Sequence, residues 1–240
     1  MNRHPSTSTP DTYRRGQLEW ALWQLSTIGR PAADEPSSIF RNRIKRLLEI
    51  DRERLKERGR KGKELAFSSD KPEGTGIDVV FSAYDGFILA LGLDLLRMGF
   101  VQSEVASLMH FLRPRLGDTF SRILRNAPGP ERRSLATGAA RATIRPGDDR
   151  RVFLVIERVE ISEEFPAFAQ GKTGREQAFY KEPKICRGLQ EVTDELDRMD
   201  QVFRRALVLD LAYTASNVSR FLAGAPEIKR GRPSTIPHSN

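Results

Sequence analysis

Phe81–Leu124 reads FSAYDGFILALGLDLLRMGFVQSEVASLMHFLRPRLGDTFSRIL, and the spacing of its apolar side chains decides the fold class. Phe87, Leu91, Leu95 and Met98 recur every three or four positions, the period of a helix with one buried face, and predict a helix over 85–98. Gly99 then supplies a residue that enters the left-handed conformation at a helix end at little cost. Gln102–Leu112 resumes the period through Val105, Leu108, Met109 and Leu112, with Ser103 as the expected cap. Asp118–Leu124 adds a third helical piece through Phe120, Ile123 and Leu124. These stripes read as core.

N-terminal to this stretch, Leu18, Leu22 and Leu25 lie at helical spacing beside Trp20 and Trp23, and Gly29, Pro31 and Pro36 end that segment. Ser37 or Ser38 offers a cap to a second helix with Phe40, Ile44, Leu47, Leu48 and Leu55 on one face. Two short helices joined by a Pro-rich turn, the second amphipathic and basic, meet the needs of a helix-turn-helix. Glu64–Ser68 (ELAFS) and Ile77–Phe81 (IDVVF) are β-like patches around SDKPEGTG. Paired, they would form a wing gripping the backbone beside a recognition helix; an ordinary surface loop accounts for them equally.

C-terminal to it, residues 126–149 are full of Pro, Gly, Ala and Arg and read as a linker. Arg151–Ile161 (RVFLVIERVEI) is the clearest strand, with Ala178–Ile185 as its expected partner. Leu189–Leu222 is helical in pattern, and Leu189, Val192, Leu196, Met199, Phe203 and Ala206 keep heptad spacing. A dimerising helix pair and a helix packed on its own small sheet both use this pattern. The expected fold is mostly α with small β elements (α+β). A winged helix-turn-helix-like domain at 14–127 follows a disordered tail (1–13). After a linker at 128–149 comes a small α+β C-terminal region with a long helix at 150–225, for dimerisation, then a basic tail at 226–240.

The 240 residues are 38% apolar and 30% charged, so the chain has enough apolar content to fold and is more polar than average. One cysteine, Cys186, excludes an intramolecular disulfide framework and fits a reducing compartment. His4, His110 and His238 lie far apart, which starves a His-based metal site or a Ser-His-Asp triad. No apolar run approaches the roughly 20 residues needed to cross a bilayer. MNRHPSTSTPD lacks the apolar centre of a signal peptide. A cytoplasmic, nucleoid-associated protein without a membrane anchor is expected.

Charge is concentrated. The chain carries +8, with 40 basic and 32 acidic residues. Ser38–Lys63 alone carries +7, with eleven basic side chains against Glu49, Asp51, Glu53 and Glu57, while all other residues together carry +1. A positive potential gathered in one stretch attracts a polyanion through counterion release. From Glu49 to Arg58 the signs alternate and suit pairing along a solvated helix. Arg41, Arg43, Lys45 and Arg46 have no acid among them, nor do Arg58, Arg60, Lys61 and Lys63. These two clusters are the expected DNA contacts, the first on the groove-facing helix and the second on phosphates.

Enzymatic chemistry finds little support, and the chain is expected not to be an enzyme and to need no cofactor. Gly171-Lys172-Thr173 lacks the first glycine of a P-loop, Pro166 standing there, and Glu163 and Glu164 would repel a nucleotide. Glu157 and Glu160 face opposite sides of a strand, and Asp194 and Asp197 share a helix's wet face, which disfavours a metal-dependent nuclease. Cys186 has Lys184 and Arg187 beside it but no nearby histidine, so it reads as a buried structural thiol.

Phe81–Met109 resembles the second half of a MerR-type winged-helix DNA-binding domain. In that family a wing strand ends in an aromatic residue. A Ser or Thr, an acid-capped helix, a Gly-Phe turn and a helix with a Glu-Val or Glu-Ile pair follow. Phe81, Ser82, Asp85, Leu91, Leu95, Gly99-Phe100 and Glu104-Val105 stand in those places. The resemblance spans about thirty residues. The family's short recognition helix with its Arg-Tyr-Tyr ending is absent here, and the basic helix is longer. The resemblance implies a dimeric DNA-binding regulator with a separate C-terminal region. Lys229, Arg230, Gly231, Arg232 and Pro233, followed by Ser-Thr, are similar to the core of an AT-hook. There glycine sinks into a narrow minor groove and the arginines meet its negative potential. The expectation is a transcriptional regulator on double-stranded DNA. A scaffold module whose basic helix meets an acidic protein partner is the alternative.

Overall fold

The computed structural model describes residues 12–29, 35–57, 64–69, 79–126, 149–160, 178–180, 182–198 and 205–227. They form a mostly helical protein with short antiparallel strands, as an α+β reading requires. The chain divides into two compact units, Met1–His110 with Val218–Asn240, and Phe111–Asn217. Of the linker expected at 128–149 and the tail expected at 226–240, residues 128–148 and 228–240 lie outside the described residues.

The first unit contains β1 (Tyr13–Arg14), α1 (Arg15–Ser26), α2 (Ser38–Glu57), β2 (Val80–Phe81), α3 (Ala83–Arg97) and the start of α4 (Gln102–Asn126). α3 is its centre: every residue from Asp85 to Leu93, and Leu95, is buried. A helix apolar all round must be enclosed on all sides. Its start is a capping box in which Asp85 N–H donates to Ser82 Oγ at 3.1 Å and Ser82 N–H donates to Asp85 Oδ2 at 2.7 Å. Its end is a Schellman motif. Gly99 takes φ +88°, Phe100 N–H donates to the Leu95 carbonyl at 3.1 Å, and Gly99 N–H to that of Leu96 at 3.2 Å.

α2 begins where Ser37 Oγ accepts the Phe40 N–H at 3.2 Å. It buries Phe40, Ile44, Leu47 and Leu48, and the Phe40 ring meets Trp23 of α1 edge-on, centroids 5.3 Å apart. Asp51 lies on the same buried face, and its Oδ2 accepts the Phe67 N–H at 3.0 Å.

Three expectations change here. Glu64–Ser68 forms no strand; Leu65, Ala66 and Phe67 are buried in succession. Three consecutive apolar side chains suit a segment enclosed on both sides rather than an alternating ribbon. The Phe67 ring lies so near α3 that a Cβ on Gly92 would sit 2.9 Å from it. β2 pairs instead with β1, Phe81 opposite Tyr13 and Val80 opposite Arg14, so the expected wing pairing is replaced and Tyr13 is buried rather than part of a disordered tail. Third, Gln102–Asn126 is one continuous helix: Pro114 removes an N–H from the ladder, and α4 runs through it.

The second unit is built on β3 (Val152–Glu160). β5 (Lys184–Arg187) and β6 (Ala206–Asp210) both pair antiparallel with β3, Phe153 facing Cys186 in one ladder and Asp210 in the other. β4 (Ala178–Tyr180) pairs with the far end of β3, Arg158 opposite Tyr180. β4 and β5 together are the partner expected over 178–185. Their register on β3 shifts by one residue between them, beside Pro183, which has no N–H to give a ladder. Flanked on both sides, β3 buries every residue from Val152 to Ile156.

The long helix expected over Leu189–Leu222 is corrected. The chain forms α5 (Gly188–Asp197), then β6, then α6 (Leu211–Ala223). Leu207 and Leu209 alternate with Ala206, Val208 and Asp210, and pairing with β3 turns that stretch into a strand. Of the heptad positions, Val192 and Leu196 of α5 pack on Phe153, Val155 and Cys186, while Leu189 is exposed and Met199 and Phe203 lie outside the described residues.

Candidate nucleic-acid interface

Twenty residues of α2 carry the basic cluster, and its buried face determines where each cation points. With Phe40, Ile44, Leu47, Leu48 and Asp51 buried, Arg41, Arg43, Lys45 and Arg46 are exposed. A 100° step per residue separates them into two edges. Arg41 and Lys45 fall on one edge, where each meets a carboxylate: Arg41 Nη2 to Glu35 Oε2 at 3.2 Å, and Lys45 Nζ to Glu49 Oε1 at 3.7 Å. All four side chains of these pairs are exposed, so each pair is worth about 0–1 kcal/mol and gives way easily to another anion.

Arg43 and Arg46 fall on the other edge, in a stripe with Ile50 and Arg54 at i, i+3, i+7 and i+11. This stripe faces the turn between α3 and α4. Arg54 Nη1 donates to the carbonyl of Ser103 there, joining α2 to the beginning of α4. Above that contact opens a groove of about 870 Å³, walled by Arg43, Arg46 and Ile50 on one side and by Leu96, Arg97 and Phe100–Ser103 on the other. Arg43 and Arg46 make no ion pair among the described residues.

Arg97 joins them from the last turn of α3, its Nη1 2.9 Å from Asp94 Oδ1. Burial raises the Asp94 carboxyl above its ordinary pKa, opposed by the charge and hydrogen bond of Arg97. The turn itself is fixed by Gly99 and by Glu104, whose Oε2 accepts the Val101 N–H at 3.2 Å. Glu104 thus closes the start of α4 in the role expected of Ser103, while Val105 is fully buried. The Glu104-Val105 pair has a structural reason: one residue caps the helix and the other anchors it.

Of the expected contacts, the structure gathers Arg43 and Arg46 in the groove and places Arg41 and Lys45 on the paired edge. Arg58, Arg60, Lys61 and Lys63, and Lys229, Arg230, Gly231 and Arg232, lie outside the described residues. Arg97 was missed because it lies 51 residues from Arg46 and is brought near by the packing of α2 beside α3.

Other chemistry is sparse among the described residues. No group of three His, Cys, Asp or Glu side chains is placed to hold a metal ion there. Cys186 is buried, and that burial pushes its thiol pKa up, with Glu195 and Glu191 adding to the effect. A thiol in that setting is a poor nucleophile. No helix there is long and apolar enough to cross a membrane. No protein family, curated protein or solved structure matches the chain.

Proposed function

We propose that the chain binds duplex DNA through α2 and the turn before α4, and acts as a transcriptional regulator. The observation that carries this reading is the groove in which Arg43 and Arg46 stand without carboxylate partners among the described residues, opposite Arg97. Guanidinium groups in an open groove suit phosphate oxygens, which they meet in a two-pronged geometry. The exposed face of a 20-residue helix, about 30 Å long, offers contacts over more than one phosphate. The +7 of Ser38–Lys63 supports the same reading, as does the resemblance of Phe81–Met109 to a MerR-type domain.

The test is a salt titration of duplex binding by fluorescence anisotropy. Converting Arg43 and Arg46 to Gln weakens binding and lowers the slope of log K against log salt by about one unit per lost phosphate contact. An unchanged slope removes the groove from the interface.

An acidic protein partner is the second reading. It is favoured by Met98 and Val101, 59% and 57% exposed at the turn that borders the groove, since a basic patch edged with apolar side chains also suits a protein surface. Retention on heparin only at low salt, with duplex DNA left unshifted, selects that reading.

A further inference from the structure

A second concentration of arginine lies within Phe111–Asn217, far from α2 in sequence. Arg122 of α4, Arg150 and Arg151 before β3, and Arg187 at the end of β5 line one cavity of about 600 Å³. Asp149 is the one acidic residue in its wall. The ladder sets Arg187 opposite Val152, so three of these arginines converge on the beginning of β3.

Asp149 is already committed. Its Oδ1 accepts Arg151 Nε at 2.7 Å, and its Oδ2 accepts Arg151 Nη2 at 2.6 Å and the Leu189 N–H of α5 at 3.0 Å. Arg151 is thereby neutralised and held in place. Arg122, Arg150 and Arg187 make no ion pair among the described residues. Three cations without an ion pair among the described residues stand around one concavity and repel one another, although the Glu191 carboxylate accepts the Arg187 N–H at 2.6 Å; a multiply charged anion relieves that repulsion. Ile123 and Val152 add an apolar portion to the wall. The volume falls within the roughly 300–1,000 Å³ typical of small-molecule sites.

We propose that this cavity binds a small ligand carrying a di- or triphosphate, held by Arg122, Arg150 and Arg187, with Asp149 and Arg151 as its fixed frame. Two sources share that chemistry, a nucleoside polyphosphate and a bare polyphosphate. The proposal does not depend on DNA binding by α2.

Isothermal titration of the full chain with ATP and, separately, with inorganic pyrophosphate at constant ionic strength tests it. Saturable one-to-one binding of either probe is expected. ATP the tighter identifies a nucleoside polyphosphate that uses Ile123 and Val152, and equal affinity a bare polyphosphate. The Arg122→Gln/Arg187→Gln variant loses about tenfold or more in affinity, as removal of charge-assisted hydrogen bonds requires. Arg150→Gln, changing one exposed side chain, loses severalfold and guards against a double variant that fails to fold. Arg43→Gln/Arg46→Gln binds as the parent does. Absence of saturable binding by both probes overturns the proposal. So does an equal loss in the Arg43/Arg46 variant, which would mark diffuse attraction. A tenfold loss of duplex DNA affinity in the Arg122/Arg187 variant without any ATP or pyrophosphate binding overturns it in favour of a nucleic-acid surface.

Discussion

Asp149 and Asp51 are two carboxylates on which local structure turns. Hydrogen bonding from Arg151, then from the Leu189 and Arg151 N–H groups, holds the Asp149 carboxyl at about 2, below the usual carboxylate range, against the opposing effect of burial. A carboxyl depressed in the folded state contributes stability above its ordinary pKa and loses it as pH falls toward the folded value. The chain therefore destabilises between about pH 5 and 2 in part through Asp149. Asp149→Asn flattens that limb and lowers stability at neutral pH by about 1–2 kcal/mol, measured by urea unfolding at several pH values. Asp51 acts as a buried acceptor. Asp51→Ala leaves the buried Phe67 N–H without its acceptor and costs about 1–3 kcal/mol, read from the same unfolding curves at neutral pH. In sequence Asp51 looks like one more acid in an alternating run; its neighbours at one-turn spacing, Leu47 and Leu48, are what mark it as inward-facing.

Among the elements, the helices were the most legible. Repeating apolar positions identify α1 to α3, and Ser82, Asp85 and Gly99 mark the ends of α3 because capping chemistry is local. Gly99 stands at φ +88° with open space around it, so Gly99→Ala introduces backbone strain alone. About 1–2 kcal/mol of destabilisation is expected, partly relieved in Gly99→Asn, and a thermal-unfolding series of the three proteins measures it. The strands were less legible. β6 was hidden because Ala206 prolongs the heptad spacing, although Leu207, Leu209 and Leu211 recur at the strand period, and pairing with β3 selects the extended form. ELAFS carried a β-like composition, yet its apolar run is enclosed rather than paired. In both places a distant partner overrode local propensity.

On the scale of the molecule, a net charge of +8 with +7 in Ser38–Lys63 makes electrostatics the dominant influence on its encounters. If DNA is the partner and Lys229–Pro233 acts as the AT-hook core it resembles, truncation after Glu227 lowers affinity for A·T-rich duplexes more than for G·C-rich ones, because such a core enters a narrow minor groove. Parallel anisotropy titrations on the two duplexes measure this; an equal change on both assigns the tail to general charge attraction.

Net charge, its concentration near α2, helices α1 to α3 and the caps of α3 follow from the amino-acid order itself, because they rest on composition and on contacts within a few residues. Tertiary structure alone decided that Tyr13 partners Phe81, that β6 is a strand, and that Arg97 faces Arg43 and Arg46. It also gathered Arg122, Arg150, Arg151 and Arg187 around one cavity. Those juxtapositions join residues tens of positions apart, and long-range packing carries no local periodicity to read.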